Sequence, residues 1–545
     1  MIVIKRFFYL FLSWFLVNTL LLWYKGLFSF ILPFGGAIVG CFLCLMPLMR
    51  KVSLIIYGML VLCSLFLGME MASLWNTGRL VTALLLLNIR EIGAVDPVVV
   101  YSSILIVVLY LMSVFFFRNS KPVLVSKWAY LLVLPLMVLC YFEEIHPVIS
   151  FGQTLAQYVR QKMFEPNEIV EERQKRLYGK NWVYRDEPSV YIPDIHGKNV
   201  VVIFTEGMSL RVIDKFNRYP NLTPNISEFL DKSVWFDNYF NHTAATYRGL
   251  RGQLTSSFQY TNGEHLKNEN FDNALTALDA PFEDGLISLP EILRKNGYHT
   301  YFLSGRSREE RLNSYLSTIG FDHVFTASEF KSSGNDLTDL ELFLTLNKLV
   351  GEGHLQEPYF IGVYNVGTHF GMRSSGIVYD NEGQSDNDML NIFHNYDFAF
   401  GKFFHYVLEN ESLRKNLAVV LTSDHATFPD KVFIETFGDY YSGVFLGRIP
   451  LILYYEGVIP LMMQAKGKSS LDFAPTLLHW LRIQNAYNYF LGCSLHHDEC
   501  PYNFHYVFNS GDRFYRTFTG QKMSEDVFLD AKIIGLIQNF YHLSE

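Results

Sequence analysis

Apolar positions along this chain change character near residue 142. Before it they run on almost unbroken; after it they come in short bursts separated by Gly, Pro and polar residues. Five long apolar stretches cover 7–23, 27–49, 52–71, 98–117 and 123–142, most of them near the ~20 residues a bilayer-spanning helix requires. The last is interrupted by Pro135. The pattern predicts five membrane helices. With the N-terminus inside, Lys5, Arg6, Arg50, Lys51, Arg118, Lys121 and Lys127 fall on the cytoplasmic side, and only Lys25, Arg79 and Arg90 fall outside. That is the asymmetry expected of cytoplasmic loops. An odd number of spans places everything after Phe142 on the outer face. No small-residue cleavage site follows the first stretch, so it reads as an uncleaved anchor rather than a signal peptide. The loop before the fourth span carries its own apolar run, 80–87, which is either a packing helix or an element at the outer interface that helps to present lipid.

The pattern past residue 142 is different. Residues 144–195 are charged and periodic, and predict a juxtamembrane helical connector. From Lys198 onward strands and helices alternate. Val200 to Phe204 is a continuous apolar run, as expected for a strand buried on both faces. Thr223-Pro224 opens a helix with Pro at its first position, and Gly297 closes another that begins at Leu289. Residues 234–240, 298–303, 358–363, 417–421 and 449–454 read as further strands. Repeated β-then-α units imply an α/β domain with a mostly parallel central sheet covered on both faces. The expected division is 1–143 for the membrane domain, 144–195 for the connector, 196–510 for the α/β domain and 511–545 for a C-terminal extension.

Composition adds exclusions. A length of 545 residues calls for more than one core. The net charge is −8, and no basic stripe suggests nucleic acid as a partner. Cys41, Cys44, Cys63 and Cys140 lie in the expected spans; only Cys493 and Cys500 belong to the α/β part, where they are a disulfide or two free thiols. His496 and His497 between them also make a metal site conceivable.

Candidate chemistry sits where the short apolar runs end. Glu206 follows Val-Val-Ile-Phe-Thr, and Asp424-His425 follows Leu-Ala-Val-Val-Leu-Thr-Ser. A buried parallel strand delivers its next residue to the carboxyl edge of the sheet, where α/β proteins place their ligands. Carboxylate oxygens and a neutral imidazole suit Zn²⁺ or Mn²⁺. As a structural alternative, Glu206 only stabilises a helix N-terminus. Thr246 is the nucleophile candidate, because Arg248 and Arg251 follow it and Gly249 and Gly252 permit close backbone approach to an anion. A Thr hydroxyl needs a base or a metal to react. Thr243, Ser256 and Ser257 compete chemically, and Thr243 or Thr246 is alternatively a plain N-cap. His369, after another strand, is placed to donate to a phosphoryl oxygen or protonate a leaving group.

With these residues laid out, the chain resembles the alkaline phosphatase/sulfatase superfamily. Within it the similar branch is that of membrane-anchored lipoteichoic acid synthases, phosphoglycerol transferases and phosphoethanolamine transferases. The likeness runs from about Asn199 to Leu495 and includes Thr223-Pro-Asn-Ile, Leu289-Pro-Glu-Ile-Leu-Arg-Lys-Asn-Gly-Tyr, Gly320-Phe-Asp, Arg448-Ile-Pro-Leu-Ile-Leu-Tyr and Asp472-Phe-Ala-Pro-Thr-Leu-Leu. The resemblance implies Glu206, Thr246, Asp424 and His425 as ligands of one divalent metal ion, Mn²⁺ or Zn²⁺, with Thr246 also the nucleophile. Thr stands where sulfatases carry the Cys that becomes formylglycine, which argues for a phosphothreonine intermediate. His369 falls at the branch's phosphoryl-contacting histidine. Two departures stand out: Ala426-Thr427-Phe428 follows the Asp-His pair, and Ser304-Gly305-Arg306 has Ser where lipoteichoic acid synthases have His. Arg248, Arg306 and Arg308 are the candidate anion contacts.

The implied function is transfer of a phospholipid head group, phosphoglycerol or phosphoethanolamine, onto a cell-envelope glycan. The enzyme would be a multi-pass protein of the bacterial inner membrane with its catalytic domain on the extracytoplasmic side. Its partners would be a membrane phospholipid donor and an envelope glycan acceptor. The competing readings are a membrane-anchored sulfatase-like hydrolase or phosphodiesterase, and a non-catalytic scaffold in envelope polysaccharide assembly.

Overall fold

The computed structural model describes residues 14–24, 53–77, 97–116, 180–184, 191–258, 287–331, 335–438 and 445–516, with short gaps, and a few isolated positions besides. The chain forms two compact units, Met1–Arg160 and Gln161–Glu545.

In the first unit, helices Ser53–Thr77 and Pro97–Phe116 cover most of the third and fourth expected spans, the first running on past residue 71. They are tied by Asn76, whose side chain bonds the hydroxyls of Ser102 and Ser103. Trp14, Leu67, Met71, Leu74 and Tyr110 pack together in this unit. Over the described residues no helix is long and apolar enough to cross a membrane; part of each of the two helices lacks described side chains. Residues 14–24 are helical within the first expected span. Nearly all of the second span, the whole of the fifth, and most of the connector lie outside the described residues.

The second unit is built on an eight-stranded sheet. Its strands are β1 (Asn199–Thr205), β2 (Val234–Asp237), β3 (His299–Ser304), β4 (His323–Phe325), β5 (Tyr359–Tyr364), β6 (Leu417–Ser423), β7 (Leu451–Tyr455) and β8 (Leu461–Gln464). The spatial order is β4-β3-β5-β1-β6-β7-β2-β8. From β4 to β6 every pairing is parallel; β7 runs antiparallel to both β6 and β2. A hairpin of β9 (Val507–Ser510) and β10 (Arg513–Arg516) stands apart.

Alternation along the central strands divides the core in two. Val200, Val202 and Phe204 enter one apolar layer together with Leu250, Leu289, Leu477 and Trp480. Val201 and Ile203 enter the other with Ile226, Phe343, Phe400 and Phe403. Helices Thr246–Thr255, Leu289–Lys295 and Phe473–Trp480 therefore cover one face, and Pro224–Asp231, Asp339–Gly351 and Asp388–Glu409 the other. Val183, Tyr184 and Ile195 are buried in the first layer, so the end of the expected connector packs into this unit.

Local expectations meet two corrections. The run 234–240 is a strand only to Asp237, because Asn238 takes a left-handed φ of 55° and turns the chain. Thr223 does stand at the N-cap, but its hydroxyl accepts from the Asp214 N–H instead of the helix. The Asp397 carboxylate accepts from the Asn225 and Ile226 N–H groups in its place.

Candidate metal centre

β1 and β6 lie side by side in register, Thr205 opposite Ser423. Each releases its next residue at the same carboxyl edge, so Glu206 and Asp424 arrive together although 218 positions separate them in sequence. Both are buried, as is His425. The turn that lets Asp424 and His425 face one point is held by Ser423, whose hydroxyl bonds the Thr205 carbonyl at 2.7 Å. Asp424 Oδ1 accepts from the Gly207 N–H at 2.8 Å and from the His425 N–H at 2.7 Å.

One ligand atom from each of Glu206, Asp424 and His425 falls within 4.8 Å of the others. His425 Nε2 is 3.3 Å from Glu206 Oε1 and 3.4 Å from Asp424 Oδ2. Its Nδ1 is committed to the Ala426 carbonyl at 2.8 Å, which orients the ring with Nε2 inward. Asp424 Oδ2 is buried without a hydrogen-bond partner, and a buried carboxylate oxygen without one is costly. Two carboxylates, one with an orphaned oxygen, and an imidazole converging on one point fit a divalent cation.

Electrostatics agree. Burial would raise the Glu206 carboxyl, but the charges of His425 and His369 and the hydrogen bonds from His425 and Tyr364 outweigh it and hold it below the ordinary carboxylate range. Burial and the neighbouring Glu206 push Asp424 well up. His425 rises to about 9: burial opposes its charge, and Asp424 and Glu206 more than restore it. Without a cation, a proton on His425 supplies the positive charge this cluster needs.

Thr246 is the first residue of helix Thr246–Thr255, and its hydroxyl donates to Glu206 Oε2 at 2.8 Å. The preceding Ala245 has φ 73°, a strained value for a residue with a side chain. The chemical competitors are engaged elsewhere. Thr243 bonds the Asn509 carbonyl, Ser256 the Leu471 carbonyl, and Ser257 the Thr255 hydroxyl. The helix is pressed against the end of β6: a Cβ on Gly249 would lie 2.1 Å from the Asp424 carbonyl oxygen. Gln253 Nε2 adds a bond to the Ser423 carbonyl at 3.0 Å.

Arg248 is buried on the same helix with its Nη1 lacking a hydrogen-bond partner. His369, three residues past Val366, is half-buried and close enough for its charge to be felt by Glu206. Arg306 lies just beyond β3 and is ion-paired with Asp336 at 3.2 Å. Arg308 lies outside the described residues. The departure after the Asp-His pair is built in: Thr427 and Ser209 exchange two hydrogen bonds, each backbone N–H donating to the other's hydroxyl. Cys493 and Cys500 are joined as a disulfide, which commits both thiols. His496 Nε2 accepts from the Trp480 indole, so these residues form no metal cluster among the described residues.

The sequence reading passed over Tyr364, whose hydroxyl donates to Glu206 Oε2, and Asn365, which accepts from the Glu206 N–H at 2.9 Å. Both stand at the end of β5, the same kind of position that singled out Glu206 and Asp424.

Such an architecture defines a class: an α/β domain that gathers a hydroxyl, two carboxylates and an imidazole at one sheet edge. A family model described as Sulfatase matches residues 198–483, more than half of the chain. The chain belongs to the sulfatase family, within the alkaline phosphatase superfamily. Phosphoglycerol transferase I from Salmonella agona (strain SL483) is 30% identical over 152 residues, 28% of this chain and 19% of that relative. The chain thus matches about a fifth of the length of this curated relative. Among solved structures, the integral membrane protein lipooligosaccharide phosphoethanolamine transferase A (EptA) from Neisseria meningitidis is similar with a TM-score of 0.51 and 12% identity, over 88% of this chain and 95% of that one. The lipoteichoic acid synthase LtaP from Listeria monocytogenes gives 0.49 and 14%, over 69% of this chain and 96% of that one.

Proposed function

We propose that this protein is a membrane-anchored phosphotransferase that moves a phospholipid head group, phosphoglycerol or phosphoethanolamine, through a phosphothreonine onto a cell-envelope glycan. The observation that carries the reading is the Thr246 hydroxyl, directed at Glu206 in the cluster completed by Asp424 and His425. A divalent cation held by Glu206, Thr246, Asp424 and His425, Mn²⁺ or Zn²⁺, would make the Thr hydroxyl acidic and offset phosphoryl charge.

Thr246 Oγ1 attacks the phosphorus of the donor lipid. The new Oγ1–P bond forms as the P–O bond to diacylglycerol breaks, and His369 gives the leaving oxygen its proton. In this step the Thr246 hydroxyl proton passes to solvent. The acceptor hydroxyl then attacks in line and gives its proton to His369, the Oγ1–P bond breaks, and Thr246 takes a proton back from solvent. Arg248, buried on the same helix with its Nη1 lacking a partner, is the candidate contact for a phosphoryl oxygen. Phe370, Phe428 and Phe445 form an aromatic chain that reaches His425 and suits an apolar leaving group. The apolar N-terminal third supports a tether to the bilayer that holds the donor, with the catalytic domain on the extracytoplasmic side of the inner membrane. A Thr rather than a Cys nucleophile favours phosphoryl over sulfate-ester chemistry.

The test is mass spectrometry of the full-length protein in detergent after incubation with defined phospholipids. A mass of phosphoglycerol or phosphoethanolamine on the Thr246 peptide is expected. Diacylglycerol release with acceptor glycan present, but with no label on that glycan, would replace transfer by hydrolysis.

A further inference from the structure

The chain from Tyr364 to His369 makes more contacts with Glu206 than either strand pairing requires. We propose that this turn is a positioning clamp. Asn365 and Thr368 lock the Glu206 ligand and His369 into one rigid unit, while Tyr364 commits one carboxylate oxygen of Glu206 and leaves the other for the cation. The inference rests on the reading of Glu206 as a metal ligand and His369 as the acid.

A closed ring of hydrogen bonds carries it. The Glu206 N–H donates to Asn365 Oδ1 at 2.9 Å, and Asn365 Nδ2 donates to Thr368 Oγ1 at 3.0 Å. The Thr368 hydroxyl donates in turn to the Glu206 carbonyl at 2.6 Å and closes the ring. Both backbone polar groups of Glu206 are thereby held by side chains from a single turn, and all three residues are buried. Parallel pairing of β1 with β5 ends at Phe204 opposite Tyr364, so sheet bonds do not reach Glu206 from this side.

The ring is anchored from behind. Asn365 Nδ2 also donates to Asp339 Oδ1 at 3.0 Å, and the Gly367 N–H donates to the same oxygen at 3.2 Å. A Cβ on Gly367 would come within 2.3 Å of Asp339 Oδ2, so the turn closes tightly on that carboxylate. His369 follows Thr368 directly, and its N–H is fixed on the Val366 carbonyl at 3.0 Å. Displacing Thr368 therefore moves the ligand and the acid together.

At the other end of Glu206, Oε2 accepts from both the Tyr364 and Thr246 hydroxyls, while Oε1 faces His425 Nε2. The carboxylate thus presents Oε1 alone to the cation position. Ligands whose remaining atoms are fixed by such outer partners typically lose about 10–100-fold in metal affinity or activity when the partner is removed.

The test titrates Mn²⁺ calorimetrically into the full-length protein in detergent after chelation and dialysis, and follows kcat and KM with phosphatidylglycerol vesicles. Thr368→Val deletes the ring hydroxyl, Thr368→Ser keeps it, and Tyr364→Phe deletes the carboxylate donor. Thr368→Val and Tyr364→Phe are expected to weaken Mn²⁺ binding by about 10–100-fold, with Thr368→Ser restoring it. In turnover, Thr368→Val should lower kcat and leave KM for the vesicles near wild type. Should Thr368→Val fail to fold, Thr368→Ala, which removes the ring hydroxyl without adding a branched side chain, takes its place in the titration. Folded variants that bind Mn²⁺ as tightly as wild type overturn the clamp. Wild type that binds Mn²⁺, with variants that lose it, upholds the clamp even where no lipid is turned over; only the head-group reading then falls. Wild type that takes up neither Mn²⁺ nor Zn²⁺ overturns both.

Discussion

The Thr246 hydroxyl donates to Glu206 Oε2 across 2.8 Å, joining the first residue of a helix to the residue that follows β1. In the proposed reaction this sets the Thr246 hydroxyl against one of the residues proposed to hold the cation. Thr246→Ala should abolish head-group release, with a loss on the order of 10⁴-fold or more. Thr246→Ser should retain part of it, because the hydroxyl survives without the methyl that fixes its rotamer. Release of labelled diacylglycerol, checked beside a thermal melt, measures both.

Metal affinity should rise with pH. His425 is raised to about 9, so at neutral pH its Nε2 carries the proton that a cation must displace. Below that value affinity should gain at least about tenfold per pH unit, the raised Asp424 carboxyl adding to the slope, then level off. Calorimetric Mn²⁺ titrations from about pH 6.5 to 9 read the slope. A flat profile would sink the assignment of His425 as a ligand, and His425→Gln should reduce the slope and remove most of the binding.

Gly249 allows helix Thr246–Thr255 to rest on the end of β6. Its missing Cβ would sit 2.1 Å from the Asp424 carbonyl oxygen, a backbone atom that cannot rotate away. Gly249→Ala should cost about 1–3 kcal/mol or more of stability, the usual range for overpacking. It should also impair Mn²⁺ uptake, because the shift falls on Asp424. Chemical denaturation and the same titration test the pair of effects; loss of stability with normal uptake would mean that the helix moves and Asp424 does not.

Asp397, outside the Glu206–Asp424–His425 cluster, makes stability depend on pH. Burial pushes its carboxyl to about 7 although the Ile226 N–H and the Asn225 side-chain and backbone N–H groups donate to it. Between about 4 and 7 the folded protein binds more protons here than the unfolded chain, so this contribution is full below about 4 and is lost as pH rises through about 7. Asp397→Asn keeps an acceptor and removes the charge, and should flatten apparent Tm over that window. Asp472, also raised to about 7 by burial, leaves a residual slope in the same direction.

Much of the site was legible because strand ends are legible. Val200 to Phe204 and Leu417 to Leu421 are continuous apolar runs, and the first charged residue after each is a candidate ligand by position alone. The metal pair His425 and Asp424 gained strength from adjacency. Thr246 was harder, since Thr243, Ser256 and Ser257 carry the same chemistry within a few residues, and only their separate hydrogen bonds distinguish them. Arg306 was legible as a charge near a strand end, but its pairing with Asp336 was not.

Periodicity and composition alone therefore determined the apolar N-terminal third, the α/β character of the rest and the acidic and imidazole groups at its strand ends. Local patterns suffice for that, because burial on two faces imposes a run and a run has an end. The tertiary structure alone decided the partners of Glu206. Tyr364 and Thr368 lie 158 and 162 residues away, and their roles exist only because β1 and β5 are neighbours in the sheet. A hydrogen bond depends on distance and angle in space, and no spacing along the chain encodes either.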